Sequence, residues 1–205
     1  MGRSQKPELE VNLVNCQQDG IPIARRCSAG GTVIQTKGSL NFVFHFPLSW
    51  NPILSDVRKS FQFFAEYIQQ TLALRKIPSG YRLLSDITNG NDKKISGNAQ
   101  SRSQHSIMHH GTLLSKPCHS LMGRYLLKPS SEPEYRQSRD HQSFVTSLEE
   151  MGVAYTLENL SQDLSKIITP SEIIFELPNE VKDKAQELME TKYKYEEWNL
   201  LGKKP

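Results

Sequence analysis

Apolar positions along the 205-residue chain repeat with two different periods, and each period predicts its own kind of element. In the stretch 39–46, Leu40, Phe42, Phe44 and Phe46 alternate with Asn41, Val43 and His45, the two-residue period of a strand that buries one face. Further on, Leu54, Val57, Phe61, Phe64, Ile68 and Leu72 recur at spacings of three and four, which places all six on one stripe of a helix able to pack on a sheet. Compact apolar runs also predict strands at 21–24, 32–34, 81–87, 94–100 and 107–114, with Asn89-Gly90-Asn91-Asp92 as turn chemistry. Helical spacing at 8–18, 141–151 and 179–195 adds helices. In the last of these Val181, Ala185 and Leu188 share a face, and Glu180 can pair with Lys184 one turn on. A charged, proline-containing stretch at 130–140 divides a strand-rich part, about 1–128, from a helical part, about 129–205. The expectation is one α+β domain spanning 1–205, a mixed or antiparallel β-sheet flanked by helices.

Composition narrows the classes of function. A hydrophobic fraction of 37% and a charged fraction of 23% are ordinary for a globular chain with a packed interior. The 25 basic residues are scattered among 22 acidic ones for a net charge of +3, so no nucleic-acid partner is expected. No apolar run approaches the ~20 residues that span a bilayer, and no secretory leader stands at the start, so no membrane is expected and the cytoplasm is the expected compartment. Cys16, Cys27 and Cys118 have no metal-site spacing and read as reduced thiols.

Three segments carry candidate chemistry. Arg25-Arg26-Cys27-Ser28-Ala29-Gly30-Gly31-Thr32-Val33 combines a glycine turn, which lets backbone N–H groups approach an anion, with Arg26, which suits a phosphate or carboxylate. A purely structural turn is the alternative at this point. Within Lys93-Lys94-Ile95-Ser96-Gly97-Asn98-Ala99-Gln100, strand alternation sends Lys94 and Ser96 to one face and Ile95 and Gly97 to the other, and Lys94 suits the stabilisation of developing negative charge. Asp86, at a strand end, is a candidate magnesium ligand or a turn residue. On a strand His109 and His110 face opposite sides, one toward a ligand and one into packing or solvent.

Taken in order, these segments resemble the lipoate-protein ligase family and, more broadly, the biotin and lipoate ligase superfamily. Gly2-Arg3-Ser4-Gln5-Lys6-Pro7 with Glu10-Val11-Asn12 is similar to G-R-x-Q-N-P…E-x-N, and Arg25 onward to R-R-x-S-G-G-G. Gly38-Ser39-Leu40-Asn41 is similar to G-x-L-N, and Ser85-Asp86-Ile87 to N-D-[IL]. The lysine segment matches K-K-[IV]-S-G-N-A-Q, and His109-His110-Gly111-Thr112-Leu113-Leu114 matches H-H-G-T-L-L. Pro133-Glu134-Tyr135-Arg136, Arg139, His141, Phe144 and Trp198-Asn199 resemble later landmarks.

The resemblance implies the biotin/lipoate ligase catalytic fold and ATP-dependent activation of lipoate to a lipoyl-adenylate. The acyl group then passes to a lysine of a lipoyl carrier domain, in a 2-oxoacid dehydrogenase complex or the glycine cleavage H protein. It assigns Arg26, Gly31, Thr32, Val33, Ile34, Lys94, Ala99 and His110 to ATP or the adenylate, Ser28 and Lys94 to lipoate, Lys94 to catalysis, and Asp86 to Mg2+. The sequence departs from the pattern at Ala29, at Gln35-Thr36 where a histidine and aspartate are usual, and at Ser85. Met1 directly precedes Gly2, where the family has a further strand and helix that contribute to the lipoate pocket. Because the resemblance runs out near Trp198, an accessory C-terminal domain is not expected, and related ligases without one use a separate accessory subunit. Two rivals follow: an amidotransferase of the same fold, which needs a cysteine nucleophile where residues 47–93 have none, and a non-catalytic binder of lipoate or the lipoyl domain.

Overall fold

The computed structural model describes residues 1–83, 85–168 and 176–203. Five strands, β1 (Ser39–Pro47), β2 (Gly80–Arg82), β3 (Asp86–Thr88), β4 (Lys94–Arg102) and β5 (Ser106–Leu114), make one sheet in the order β1-β5-β4-β3-β2, each neighbouring pair antiparallel. Of the mixed and antiparallel arrangements expected, the antiparallel one is found.

Strand alternation gives this sheet two different faces. Phe42 and Phe44 of β1, Ile95 of β4 and Ile107, His109 and Leu113 of β5 are buried on one of them. That face is covered by helix α3 (Val57–Ala73), whose Phe64, Ile68 and Leu72 are fully buried and whose Phe64 ring stacks on Phe44 at 5.2 Å. Each such side chain contributes ~1.5–3 kcal/mol through burial. Asp56 starts α3 by accepting from the Lys59 N–H at 2.9 Å, and Lys76, in the left-handed region at φ 58°, ends it. The predicted stripe is one turn too long: Leu54 sits in a separate 3-10 turn and Val57 is exposed.

Several predicted elements are reorganised by tertiary contacts. The helix at 8–18 divides into α1 (Pro7–Glu10) and α2 (Leu13–Gln18), because Val11 bridges to Leu126 and Asn12 restarts the helix by accepting from Asn15. The stretches 21–24 and 32–34 are not strands; Ile23 and Ile34 pack into a small second core with Val11, Cys16 and Tyr125, which explains their apolar pattern without sheet pairing. The stretch 81–87 forms two short strands, and Leu84 within it lies outside the described residues. Of 141–151 only α5 (His141–Phe144) is helical, since Val145 then pairs with Lys94 and Ser147 and Glu150 bond to each other in a turn.

Three helices escape the periodicity reading, α4 (His119–Tyr125), α6 (Leu157–Ile168) and a last one at Glu196–Asn199. The start of α6 is nevertheless written locally, as Thr156 and Asn159 cap one another at 3.1 and 3.2 Å. This helix packs on α3 and sets the buried Asp163 against Arg75 and the Tyr155 hydroxyl. Near the end of the chain α7 (Asn179–Leu188) passes into a π-helical turn, Met189–Tyr193, and α8 (Glu196–Asn199) follows. The shared face of α7 is not core: Val181 is exposed, and Lys184 pairs at 2.6 Å with Glu187 rather than with Glu180.

Arg25 ties the two ends of the molecule together. Its buried guanidinium donates to the carbonyls of Gly2, Arg3 and Gln5 on one side and of Trp198 and Leu200 on the other. Trp198 Nε1 in turn donates to the Arg25 carbonyl at 2.8 Å. No described helix is long and apolar enough to cross a membrane.

Candidate active site

The second face of the sheet is the floor of the site. From β5 it receives His110 and Thr112, from β1 Asn41 and Val43, and from β4 Lys94, Gly97 and Ala99. Lys94 reaches this face through a break in alternation. The register between β3 and β4 shifts at Ile87/Thr88, so that Ile87 faces Ser96 while Thr88 faces Lys94. One extra residue on β4 sends both Ile95 and Ser96 inward, where both are fully buried, and leaves Lys94 on the face of Gly97. The expected grouping of Lys94 with Ser96 is therefore corrected. A Cβ on Gly97 would stand 2.9 Å from Lys94 Cε, so glycine there leaves room for the lysine side chain.

Lys94 Nζ lies 2.7 Å from Asp86 Oδ1. Asp86 is itself buried; Ser85 Oγ donates to its Oδ1 at 3.1 Å and the Tyr135 hydroxyl to its Oδ2 at 2.7 Å. Both carboxylate oxygens are thus engaged, and among the described residues no three His, Cys, Asp or Glu side chains converge on a metal-sized gap. Magnesium is ordinarily held by one or two carboxylates together with substrate phosphates rather than by an all-protein cage, an arrangement to which Asp86 could contribute one carboxylate. Asp86 here is the counter-ion of Lys94. Burial and the Asp86 charge push the Tyr135 hydroxyl pKa upward, so it remains a donor at any ordinary pH.

The glycine turn crosses above this floor and is organised from within by Arg26. Its Nη2 donates to the carbonyls of Ala29 at 2.7 Å and Gly31 at 2.9 Å, and its Nε to Ser28 Oγ at 3.0 Å. Since that hydroxyl oxygen accepts from Arg26, its own proton is free to go to His110 Nε2, 2.6 Å away. The imidazole is then the neutral Nδ1–H tautomer. Burial, helped by the Arg26 charge, lowers the His110 pKa and favours that neutral form. Gly30 needs its glycine at φ 94°, whereas Ala29 is exposed and lies outside the left-handed region, so the extra methyl at 29 fits without strain.

Two confluent cavities meet at Lys94. One, of about 490 Å³, is walled by Gly31, Thr32, Val33, Ile34, Leu114, Met122, Leu127, Phe144 and Val145, with Glu10 and Asp86 among its polar groups. The other, of about 400 Å³, is bounded by Arg26, Ser28, Gln35, Asn41, Ala99, His110 and Thr112 with Phe42, Val43 and Met108. Lys94, Gly97, Gly31 and Thr32 line both.

The site residues predicted from sequence therefore converge: Arg26, Ser28, Gly31, Thr32, Val33, Lys94, Ala99 and His110 border the second cavity, and Ile34 and Asp86 the first. His109 goes into the core, where Phe64 and Phe44 pack on its ring and Gln100 and Asn98 hold its nitrogens. Sequence reasoning missed Glu10, Gln35, Asn41, Thr112 and Tyr135. Most of them stand in the quoted motifs, but no spacing rule gives them a shared destination.

The chain thus forms an α+β domain, with helices on one face of an antiparallel sheet and two cavities bordered by Lys94 on the other. The chain belongs to the lipoyl protein ligase A/B catalytic domain family, whose model matches residues 1–169. It is 31% identical over 131 residues to a lipoate-protein ligase A of Psychrobacter cryohalolentis, covering 62% of this chain and 34% of that protein. It thus spans about a third of the length of that curated relative. The bi-partite lipoate protein ligase of Thermoplasma acidophilum, described together with its E2 lipoyl domain, superposes with a TM-score of 0.82 over 98% of this chain and 78% of that one, at 22% identity. The P. falciparum LipL1 in complex with lipoate gives 0.75 over 100% of this chain and 58% of that one, at 26% identity.

Proposed function

We propose that this chain carries out the chemistry of a lipoate-protein ligase, activating lipoate with ATP and transferring the lipoyl group to a lysine of a lipoyl carrier domain. The observation that carries this reading is the position of Lys94, which lines both cavities. In the first half-reaction a lipoate carboxylate oxygen attacks the α-phosphorus of ATP, the bond to the β-phosphate oxygen breaks, and pyrophosphate leaves. The Lys94 ammonium is suited to stabilise the negative charge that develops there. Backbone groups of Gly31, Thr32, Val33 and Ile34 along the larger cavity are suited to the nucleotide. Arg26, Ser28, Ala99 and His110 are suited to the acyl phosphate portion and the lipoyl carbonyl. In the second half-reaction the neutral amine of the carrier lysine attacks the acyl carbon and AMP leaves.

The proposed partners are lipoyl domains of 2-oxoacid dehydrogenase complexes or the glycine cleavage H protein, together with an accessory subunit, and the proposed compartment is the cytoplasm. The T. acidophilum ligase, described with an E2 lipoyl domain, supports the first of these by analogy. The decisive measurement is the mass of a purified lipoyl domain after incubation with this chain, lipoate, ATP and magnesium, with pyrophosphate followed in parallel. A lipoyl mass increment with matching pyrophosphate release is expected. Transfer without ATP that is abolished in Cys27→Ala would establish an amidotransferase instead, and lipoate binding with neither signal a binder only.

A further inference from the structure

We propose that Tyr135 is a positioning residue for Lys94: its hydroxyl fixes Asp86, and Asp86 holds the Lys94 ammonium at the junction of the two cavities until substrate anions take its place. This rests on the ligase reading above for its kinetic consequences, though not for its geometry.

The segment from Pro133 to Thr146 lies against β4 and grips Lys94 at both ends. At the backbone, Val145 pairs with Lys94 and the Thr146 N–H donates to the Lys94 carbonyl at 2.9 Å. At the side chain, the 2.7 Å bond from the Tyr135 hydroxyl to Asp86 Oδ2 leaves Oδ1 directed at Lys94 Nζ, also at 2.7 Å. A carboxylate held at one oxygen by a neutral donor cannot turn freely about its last bond, so the lysine's counter-charge has a fixed address.

Tyr135 is itself held firmly. Its ring packs on Phe144 at 5.3 Å, and the guanidiniums of Arg136 and Arg139 lie over the same Phe144 ring at 4.7 and 5.2 Å. Gln137 and Ser138, at φ 50° and 57°, turn the chain tightly enough for Arg136 Nε to donate to the Arg139 carbonyl and Arg139 Nε to the Arg136 carbonyl. Arg139 Nη2 also donates to the Tyr135 carbonyl at 2.8 Å. Two consecutive non-glycine residues in the left-handed region are costly, and here the cost maintains the turn that aims one hydroxyl.

The test is Tyr135→Phe, which keeps the ring against Phe144 and deletes only the hydroxyl. Pyrophosphate release is expected to slow about tenfold in kcat with KM for ATP within about twofold, while transfer from chemically prepared lipoyl-adenylate to a lipoyl domain keeps its rate. Adding Tyr135→Phe to Asp86→Asn should cause no further loss, because the hydroxyl acts through that carboxylate. Unchanged pyrophosphate release would overturn the proposal. So would an equal slowing of both half-reactions accompanied by a lower Tm, the signature of a merely structural tyrosine. A second readout needs no turnover: reductive methylation followed by mass spectrometry should modify Lys94 at least about threefold faster in Tyr135→Phe than in the parent, as its counter-ion loosens. An unchanged labelling rate at Lys94 overturns the proposal even if the parent chain releases no pyrophosphate, an outcome that would count against the ligase reading alone.

Discussion

At the scale of single residues, Gly97 and Lys94 form a pair in which one makes room for the other. Gly97→Ala places a methyl 2.9 Å from Lys94 Cε and 3.0 Å from Nζ, and the flexible lysine can yield. Stability should therefore stay within ~0.5 kcal/mol, while the proposed formation of lipoyl-adenylate should slow about tenfold as the ammonium is displaced. Urea melts beside a pyrophosphate assay separate the two effects. Lys94→Ala, which removes the charge altogether, should lose ~100-fold or more in the same assay. Gly111 behaves differently, because an added methyl there collides with Asn98 Oδ1 and the Phe42 ring inside the core, so Gly111→Ala should cost ~1–3 kcal/mol of stability.

His109 supplies a pH effect at this scale. Burial, with a smaller contribution from His110, lowers its pKa from 6.5 to about 3. Between those values the unfolded chain binds a proton that the folded chain refuses. Stability therefore declines as pH falls from about 6.5 toward 3, with a slope approaching ~1.4 kcal/mol per unit from this group, and is unaffected by it above about 7. Urea midpoints across pH 3.5–7 should show a flatter acid limb in His109→Gln, and a parallel limb would refute the assignment.

At the scale of elements, α3 carries the core face and the segment 133–146 carries the site. Truncating Phe64, which is fully buried against Phe44, His109 and Phe63, should cost ~3–5 kcal/mol as Phe64→Ala by urea denaturation. Periodicity revealed α3 because its contacts repeat along one stripe. It misread 21–24, 32–34 and 141–151, because Ile23 and Ile34 are packed by irregular chain in a second core, Phe144 and Val145 beside β4, and Ile21 and Val33 are exposed, and period alone does not distinguish a strand from such a loop. The β4 bulge was invisible for a related reason. Gly97 permits a bulge within Lys94-Ile95-Ser96-Gly97 without locating it, and only pairing with β3 shows that two successive residues face inward.

At the scale of the whole molecule, Arg25 joins chain segments more than 170 positions apart by donating to Trp198 and Leu200 as well as to Gly2, Arg3 and Gln5. Arg25→Met leaves those carbonyls short of a donor in a buried setting and should cost roughly 3 kcal/mol or more. Hydrogen exchange should show protection lost together around residues 2–5 and 198–200.

The order of motifs along the chain was enough to determine the family and the list of groups from Arg26 to His110 that border the two cavities, and periodicity gave the alternation within β1 and β5 but not whether the sheet is mixed or antiparallel. Local chemistry dictates these, since side-chain alternation, glycine turns and short motifs are written in consecutive residues. The tertiary structure alone decided what each group does to its neighbour. Asp86 became a counter-ion to Lys94, Arg26 became the internal brace of the glycine turn, and Tyr135 was brought from 49 positions away to within 2.7 Å of Asp86. Such partnerships depend on the register of β3 against β4 and on how a long irregular segment folds back over them, and long-range packing sets both.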